Sequence, residues 1–410
     1  MQGKDTPNST FLQLFEPISK NCFEGADAYV KKLYAAKLFC LLAFAQLEQL
    51  KSLRDISNSL NSDLLSRSIG LESISHSQVS RRLGDIPSVH FQRAFRKAFR
   101  NASLGIGQGK VRNYLGRTHL IDSSTISLCL SKYRWAKFRK TKGGIKLHLR
   151  LRLWDQYSLP DLALVTTAKP NDKTQMDNLV VEEQGAINIF DRAYVDYGKF
   201  DKYCANGVIF ISRLKSNAAV DVQEYFPLDG DSPIDSDCKV YLGAALKRMK
   251  HPLRIISTTD TKGEPVVIVT NDFEMSAEEV GDLYRCRWQI EIFFKWLKQN
   301  MHVKHMYGTG KNAVENQLYI ALATYCLLMI LKLKSGFDGS LLTMKRLLRI
   351  CYYEAYDIFL NKLFKKRRSS RGRHRVDHEA AFKQTLQELT VDGDEYLEFM
   401  NDEALDPIIL

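Results

Sequence analysis

The stretch GIKLHLRLRLWD, residues 144–155, alternates without a break. Ile145, Leu147, Leu149, Leu151 and Leu153 fall on one side, and Lys146, His148, Arg150 and Arg152 on the other. A period of two is the mark of a strand with one buried face. The flanking segments extend the pattern. THLIDSSTISLCL (118–130) and LPDLALVTTAK (159–169) read as further strands. KTQMDNLVVEEQ (173–184) reads as a helix, INIFDRAY (187–194) as a strand ending at Asp191, and YGKFDKYCANG (197–207) as a helix closed by Gly207. A second β-rich stretch follows in GVIFISRLK (207–215), CKVYLG (238–243) and LRIISTTDTKGEPVVIVTND (253–272), the last with a hairpin expected around Lys262–Gly263. Strands interleaved with helices predict a mixed α/β fold.

The N-terminal quarter has a different rhythm. ADAYVKKLYAAKLFCLLAFAQLEQL (26–50) repeats apolar residues at helical spacing. SLRDISNSLN (52–61) and SISHSQVSRRLGDI (73–86) form two further helical segments that resemble a helix-turn-helix, with His76, Ser77, Gln78, Ser80, Arg81 and Arg82 facing DNA. An ordinary solvated helix accounts for the same spacing. The apolar run LYIALATYCLLMIL (318–331) has 14 residues, too few to span a bilayer comfortably, and reads as a buried helix. The N-terminus MQGKDTPNST is polar, not a signal peptide. Eight cysteines without a C-x-x-C pair fit a reducing compartment and argue against a zinc knuckle or disulfide framework. A cytoplasmic, non-membrane protein is the expectation. The expected division is a helical domain over 1–112, a core over 113–207 and 276–335 enclosing a β-rich insertion at 208–275, and a helical C-terminal region over 336–410.

The formal charge is +12, and an excess of base points first to a polyanion such as nucleic acid. Residues 376–410 hold ten acids against one base, so this tail carries −9 and residues 1–375 carry +21. Seven bases crowd Lys365–Arg375 between them, either a phosphate grip or a solvated linker.

YRCRWQIEIFFKWLKQN (284–300) concentrates the chemistry. SAEE at 276–279 supplies an N-cap and acids for the first turn. On a helix at about 100° per residue, Tyr284, Arg287, Glu291 and Lys298 share an arc of about 60°, with Phe293 and Leu297 on the opposite, core-facing side. An i,i+4 surface ion pair would give a similar pattern. The company matters: Asp122 ends the short apolar strand HLID and Asp191 ends INIFD. Adjacent parallel strands would bring these two carboxylates together, and a following helix could add Glu291. Three hard oxygen donors suit Mg²⁺ or Mn²⁺, not zinc, and two such ions can activate the attacking oxygen and stabilise the leaving one at a phosphodiester.

The spacing Tyr284-(two)-Arg287-(three)-Glu291-(six)-Lys298 resembles, in every interval, the Tyr-Arg-Glu-Lys signature of the IS-four family of bacterial insertion-sequence transposases. IDSSTISL at Asp122 and FDRAY at Asp191 look like that family's two aspartate blocks, and GTGKNAVENQLYIALATYCLL (308–328) resembles the helix after its glutamate. The resemblance covers residues 113–335 well and the N-terminal region more loosely. It implies an RNase H-like catalytic core with a β-rich insertion between the second aspartate and the glutamate, here 100 residues apart. It implies Asp122, Asp191 and Glu291 as a triad binding two Mg²⁺ or Mn²⁺ ions. Tyr284, Arg287 and Lys298 would touch phosphates near the transposon end. It further implies a homodimer on paired ends that cuts DNA and joins the freed 3′-hydroxyl to a target. A nuclease that never joins strands, and a DNA-binding protein without catalysis, remain open beside it.

Four smaller signals complete the reading. Trp288 can stack on an unpaired base or fill a core. Arg192 can touch a phosphate or make a structural ion pair. His302 and His305 lack the further partners a metal site needs. GTGKN at 308–312 lacks the G-x-x-x-x-G-K-[ST] frame, so no nucleotide is expected.

Overall fold

The computed structural model describes residues 9–106, 116–154, 157–228, 232–244, 248–259 and 265–365. The basic run beyond Lys365, the acidic tail and the Lys262–Gly263 turn lie outside the described residues. The chain divides into two compact units, residues 1–107 with 292–410 and residues 108–291.

The first unit begins with helices α1 (Thr10–Phe15), α2 (Ala35–Leu47), α3 (Leu53–Ser59), α4 (Asp63–Ile69), α5 (His76–Asp85) and α6 (Ser88–Ile106). The expected long helix over 26–50 forms only from Ala35. Asp27 prevents an earlier start, because its Oδ1 accepts from the Ala35 amide at 2.7 Å and so caps α2 from outside. A capping box between Ser75 and Gln78 starts α5. The two helices expected between 52 and 86 are three, because Gly70, in left-handed conformation, closes the intervening α4.

The second unit is built on one nine-stranded sheet. Its strands are β1 (Thr118–Leu128), β2 (Gly143–Leu153), β3 (Ser158–Thr167), β4 (Ile187–Phe190), β5 (Ile209–Arg213), β6 (Val220–Tyr225), β7 (Ile234–Leu242), β8 (Leu253–Thr259) and β9 (Pro265–Thr270). They lie in the order β3-β2-β1-β4-β5-β9-β8-β7-β6. β1, β2 and β3 are antiparallel neighbours, whereas β4 runs parallel to both β1 and β5. The leucine face of β2 is fully buried, as its alternation demands. The expected helix over 173–184 shrinks to α7 (Met176–Leu179), behind a short 3₁₀ turn. Helix α8 (Tyr197–Ala205) ends at Gly207, whose φ of +67° needs a residue without Cβ. Residues 208–275 are not detached from the rest, since β5 extends the parallel part of the sheet and β9 to β6 continue from it. Phe190, Phe200 and Phe210 stack at the centre of its core, with the Phe200 and Phe210 centroids 4.3 Å apart.

After β9, α9 (Ala277–Arg285) starts on a Ser276–Glu279 capping box, and α10 (Trp288–Asn300) follows. The chain then returns to the first unit with α11 (Lys311–Ser335), α12 (Leu341–Cys351) and α13 (Tyr356–Leu363). Helix α11 is long and apolar enough to cross a membrane by length and composition, but 83% of its apolar window is buried, so it is a core helix. It packs on α6 and α5. Asn316, buried on α11, donates to the carbonyls of Leu83 and Ile86 at 2.8 Å each and so satisfies the end of α5.

Candidate active site

The sheet register sets the site. β1 and β4 pair in parallel from Thr118↔Ile187 to Ile121↔Phe190. The next residues on each strand are Asp122 and Asp191, so two carboxylates emerge side by side on strands about 5 Å apart. Asp122 is half-buried at its place in β1. Its Oδ1 accepts from the Ser123 amide at 2.7 Å. Burial raises its pKa to about 7; the Arg287 charge and the Ser123 amide oppose that rise, and the negative charges of Glu291 and Asp191 add to it. Asp191 stands at the head of a short 3₁₀ turn, Arg192–Tyr194.

Glu291 lies in the first turn of α10. The sequence wheel treated 284–298 as one uninterrupted helix; the structure corrects this. Around Cys286 and Arg287 the backbone tightens into i→i−3 bonds, Arg287 N to Tyr284 O at 3.0 Å and Gln289 N to Cys286 O at 3.0 Å. Tyr284 therefore sits in the last turn of α9, and Arg287 in the tight link. Both are buried. Arg287 donates to Glu291 Oε1, and its guanidinium lies 5.8 Å from the Tyr284 ring and 5.1 Å from the Trp288 ring. Burial works against that cation, but Glu291, Tyr284, Asp122 and Asp191 together hold its pKa above the ordinary arginine value. Burial and the nearby Asp191 push the Tyr284 phenol up to about 12, against Arg287 and Arg213, so it stays protonated. Asp122, Asp191, Glu291, Arg287 and Tyr284 thus share one electrostatic neighbourhood. Lys298 sits two turns further along α10 and is half-buried. Trp288 is half-buried, and Arg192 is exposed.

Behind Asp122 lies a group that sequence spacing did not single out. Ser123 Oγ donates to Asp172 at 2.7 Å, and Lys146 Nζ donates to the same carboxylate at 2.8 and 2.9 Å. Tyr194 is fully buried there, its hydroxyl without a partner among the described residues. Burial, then the charges of Asp122 and Asp172, lift its pKa well above the ordinary phenol value. Its position as the last residue of FDRAY was the available signal.

Among the described residues no three Asp, Glu, His or Cys side chains close around a point as a metal cage would. The donor set nevertheless fits a hard divalent cation. Asp122, Asp191 and Glu291 are all hard oxygen donors, and the negative charge of the other two that helps raise Asp122 is what a cation would relieve.

In the helical unit, His76, Ser77, Gln78 and Arg81 are exposed on α5. Of the remaining two residues in the expected DNA-facing set, Ser80 is half-buried and Arg82 is engaged inside the fold. Its Nη2 donates to Asp27 Oδ1 at 2.6 Å and to Ala26 O at 3.1 Å, and its Nε donates to Leu33 O. This guanidinium holds the turn before α2 in place.

Comparison with known proteins identifies the family. A family model described as "Transposase DDE domain" matches residues 115–327, and a domain of unknown function (DUF4372) matches residues 6–65. A probable transposase for insertion sequence element IS5377 from Geobacillus stearothermophilus is 30% identical over 213 residues, 51% of this chain and 55% of that protein. A putative transposase, y4zB, from Sinorhizobium fredii is 31% identical over 248 residues, 58% of this chain and 67% of that protein. The match thus spans little more than half the length of the first relative. A solved piggyBac transposase synaptic complex with hairpin DNA shares 13% identity at a TM-score of 0.43, over 97% of this chain and 87% of that one. With more than half of its length matched by the domain that carries Asp122, Asp191 and Glu291, the chain belongs to the transposase DDE domain family.

Proposed function

We propose that this chain is a DNA transposase of the IS-four group that cleaves element ends and joins the 3′-hydroxyl to target DNA in a cut-and-paste reaction. The observation that carries the proposal is that Asp122 and Asp191 each follow the last pair of the parallel β1–β4 ladder, with Glu291 close enough to shift Asp122; Asp191 ends β4 as the sequence suggests, whereas β1 runs on through Asp122 to Leu128. The strand order β3-β2-β1-β4-β5, antiparallel then parallel, supports an RNase H-like core. In this reading residues 9–106 are a DNA-binding domain that uses Gln78 and Arg81.

The DDE domain implies a divalent cation; we assign Mg²⁺ or Mn²⁺, two ions, to Asp122, Asp191 and Glu291. When bound, these ions would supply charge stabilisation at the attacking and leaving oxygens of the phosphodiester. The chain's own residues do the remaining work. Asp122, raised by burial, prefers its charged form once a cation is near. Arg287, clamped by Glu291 and covered by two rings, presents a fixed positive charge beside the carboxylates. Phosphates can then approach an otherwise anionic pocket. Tyr284 stays protonated and offers a hydroxyl donor. Lys298 and exposed Arg192 add point charges for the strand on either side, and Trp288 an aromatic edge. A homodimer on paired ends, in the bacterial cytoplasm at the nucleoid, is the working assembly.

The test supplies end-sequence DNA and a target duplex with Mg²⁺ and looks for joined product. Asp122→Asn, Asp191→Asn and Glu291→Gln should each abolish cleavage while leaving salt-sensitive DNA binding. Cut ends without joined product would assign a nuclease. Binding without cutting would assign a DNA-binding protein. Normal cleavage by any one of the three variants would break the triad.

A further inference from the structure

The connection from β1 to β2 carries only positive charge. CLSKYRWAKFRKTK (129–142) holds Lys132, Arg134, Lys137, Arg139, Lys140 and Lys142, and no acid occurs between Asp122 and Asp155. All six cations are exposed. Among the described residues none of them makes an ion pair with a carboxylate. The cations of β2 differ: Lys146 pairs with Asp172 and Arg150 with Asp161, while Arg152 donates to the Gly116 carbonyl.

This arm is built. The amides of Lys132 and Tyr133 both donate to Cys129 O at 3.0 Å, and Ala136 N donates to Tyr133 O at 2.9 Å. The amides of Phe138 and Arg139 both donate to Lys142 O at 3.0 Å, and Lys137 bridges to Gly143. Tyr133 and Ala136 are buried and anchor it. Gly143 lets it fold back, since a Cβ there would stand 2.9 Å from Leu128 O. Exposed like charges on an ordered backbone repel one another, a cost that a polyanion would relieve.

We propose that this arm grips the phosphates of duplex DNA at a point separate from the carboxylate site. The proposal rests on the reading that the chain acts on DNA. The six residue steps from Asp122 to Leu128 span about 20 Å of strand, so the arm meets a duplex about six base pairs from the phosphate held at Asp122. Duplex is favoured over single strand because Trp135 and Phe138 are half-buried, and Arg139 lies over the Phe138 ring at 5.1 Å. They offer no open platform for unpaired bases. With no acceptor fixing any one cation, the contact reads charge, not sequence.

The experiment measures binding of the full chain to a duplex of unrelated sequence, and to the matching single strand, across a salt series. Arg134→Ser/Arg139→Ser/Lys140→Ser should bind the duplex about tenfold or more weakly, with the slope of log affinity against log salt reduced by about 2.7. Arg134→Lys/Arg139→Lys keeps the charges and should leave both unchanged. If the wild type binds duplex and the triple variant matches it in affinity and slope, the arm is not a contact and only this proposal falls. Loss confined to the single strand overturns the duplex assignment. A wild type that binds no DNA overturns the proposed function, and this inference with it.

Discussion

Arg287 donates to the Glu291 carboxylate one helical turn ahead, where the α9–α10 backbone tightens to i→i−3 bonding. The acid of the proposed triad is therefore held by a cation from the same signature. With side chains 10% and 29% exposed, losing one partner leaves a poorly solvated charge. Arg287→Gln should lower stability by about 1–3 kcal/mol, and adding Glu291→Gln should recover part of that loss. Urea midpoints of the two single variants and the double check it; purely additive effects would contradict the coupling.

Arg81 and Arg82 are neighbours with different work. Arg82 ties Asp27, Ala26 and Leu33 together, so Arg82→Ala should cost about 1–3 kcal/mol in a denaturant melt. Arg81 is exposed. Arg81→Ala should leave the melt within about 0.5 kcal/mol of wild type and weaken DNA binding instead. Equal melting of the two variants would remove the distinction.

Two buried histidines predict acid sensitivity. Burial lowers His119 from 6.5 to about 3, and His148 to about 4 despite the opposing charge of Asp172. The folded state keeps both neutral, while the unfolded chain takes up protons near 6.5. Their contribution is complete above pH 6.5 and is lost as pH falls towards those lowered values, at up to about 1.4 kcal/mol per pH unit for each. Urea midpoints at pH 7 and pH 5 should differ accordingly. His119→Gln and His148→Gln should each flatten the profile.

Arg254 and Asp237 form a buried fork, with bonds of 2.9 and 2.6 Å and side chains 8% and 4% exposed. Asp237→Asn should cost about 3–5 kcal/mol, because it leaves the guanidinium without its counter-charge. Thermal melting of the full chain measures it. A loss below 1 kcal/mol would show that water reaches the pair.

The parts of this fold legible in sequence are those where burial writes a period. The β2 alternation located β2, and the apolar runs before Asp122 and Asp191 located the paired parts of β1 and β4, although β1 continues past Asp122 to Leu128. Other features left no such trace. Every residue of β6 is exposed, so an edge strand held by backbone bonds shows no apolar face. Ala26–Tyr34 looked helical by composition, yet one side chain, Asp27, caps the helix nine residues late. The tightening at Cys286–Arg287 carries neither Gly nor Pro, so nothing marked it. The Lys146–Asp172 pair depends on residues 26 apart that meet only once the sheet has formed.

The helical unit is assembled from both ends of the polypeptide. The inner face of α6 (Phe91, Ala94, Phe95, Ala98 and Ala102) is covered by α11, which starts more than two hundred residues later. During synthesis α6 can pack on the Lys20–Phe23 turn, but its α11-facing side stays open until the whole sheet has emerged. A chain ending between residues 292 and 310 would hold the whole sheet but leave the N-terminal helices without their central partner. Such a product would expose apolar surface and be short-lived.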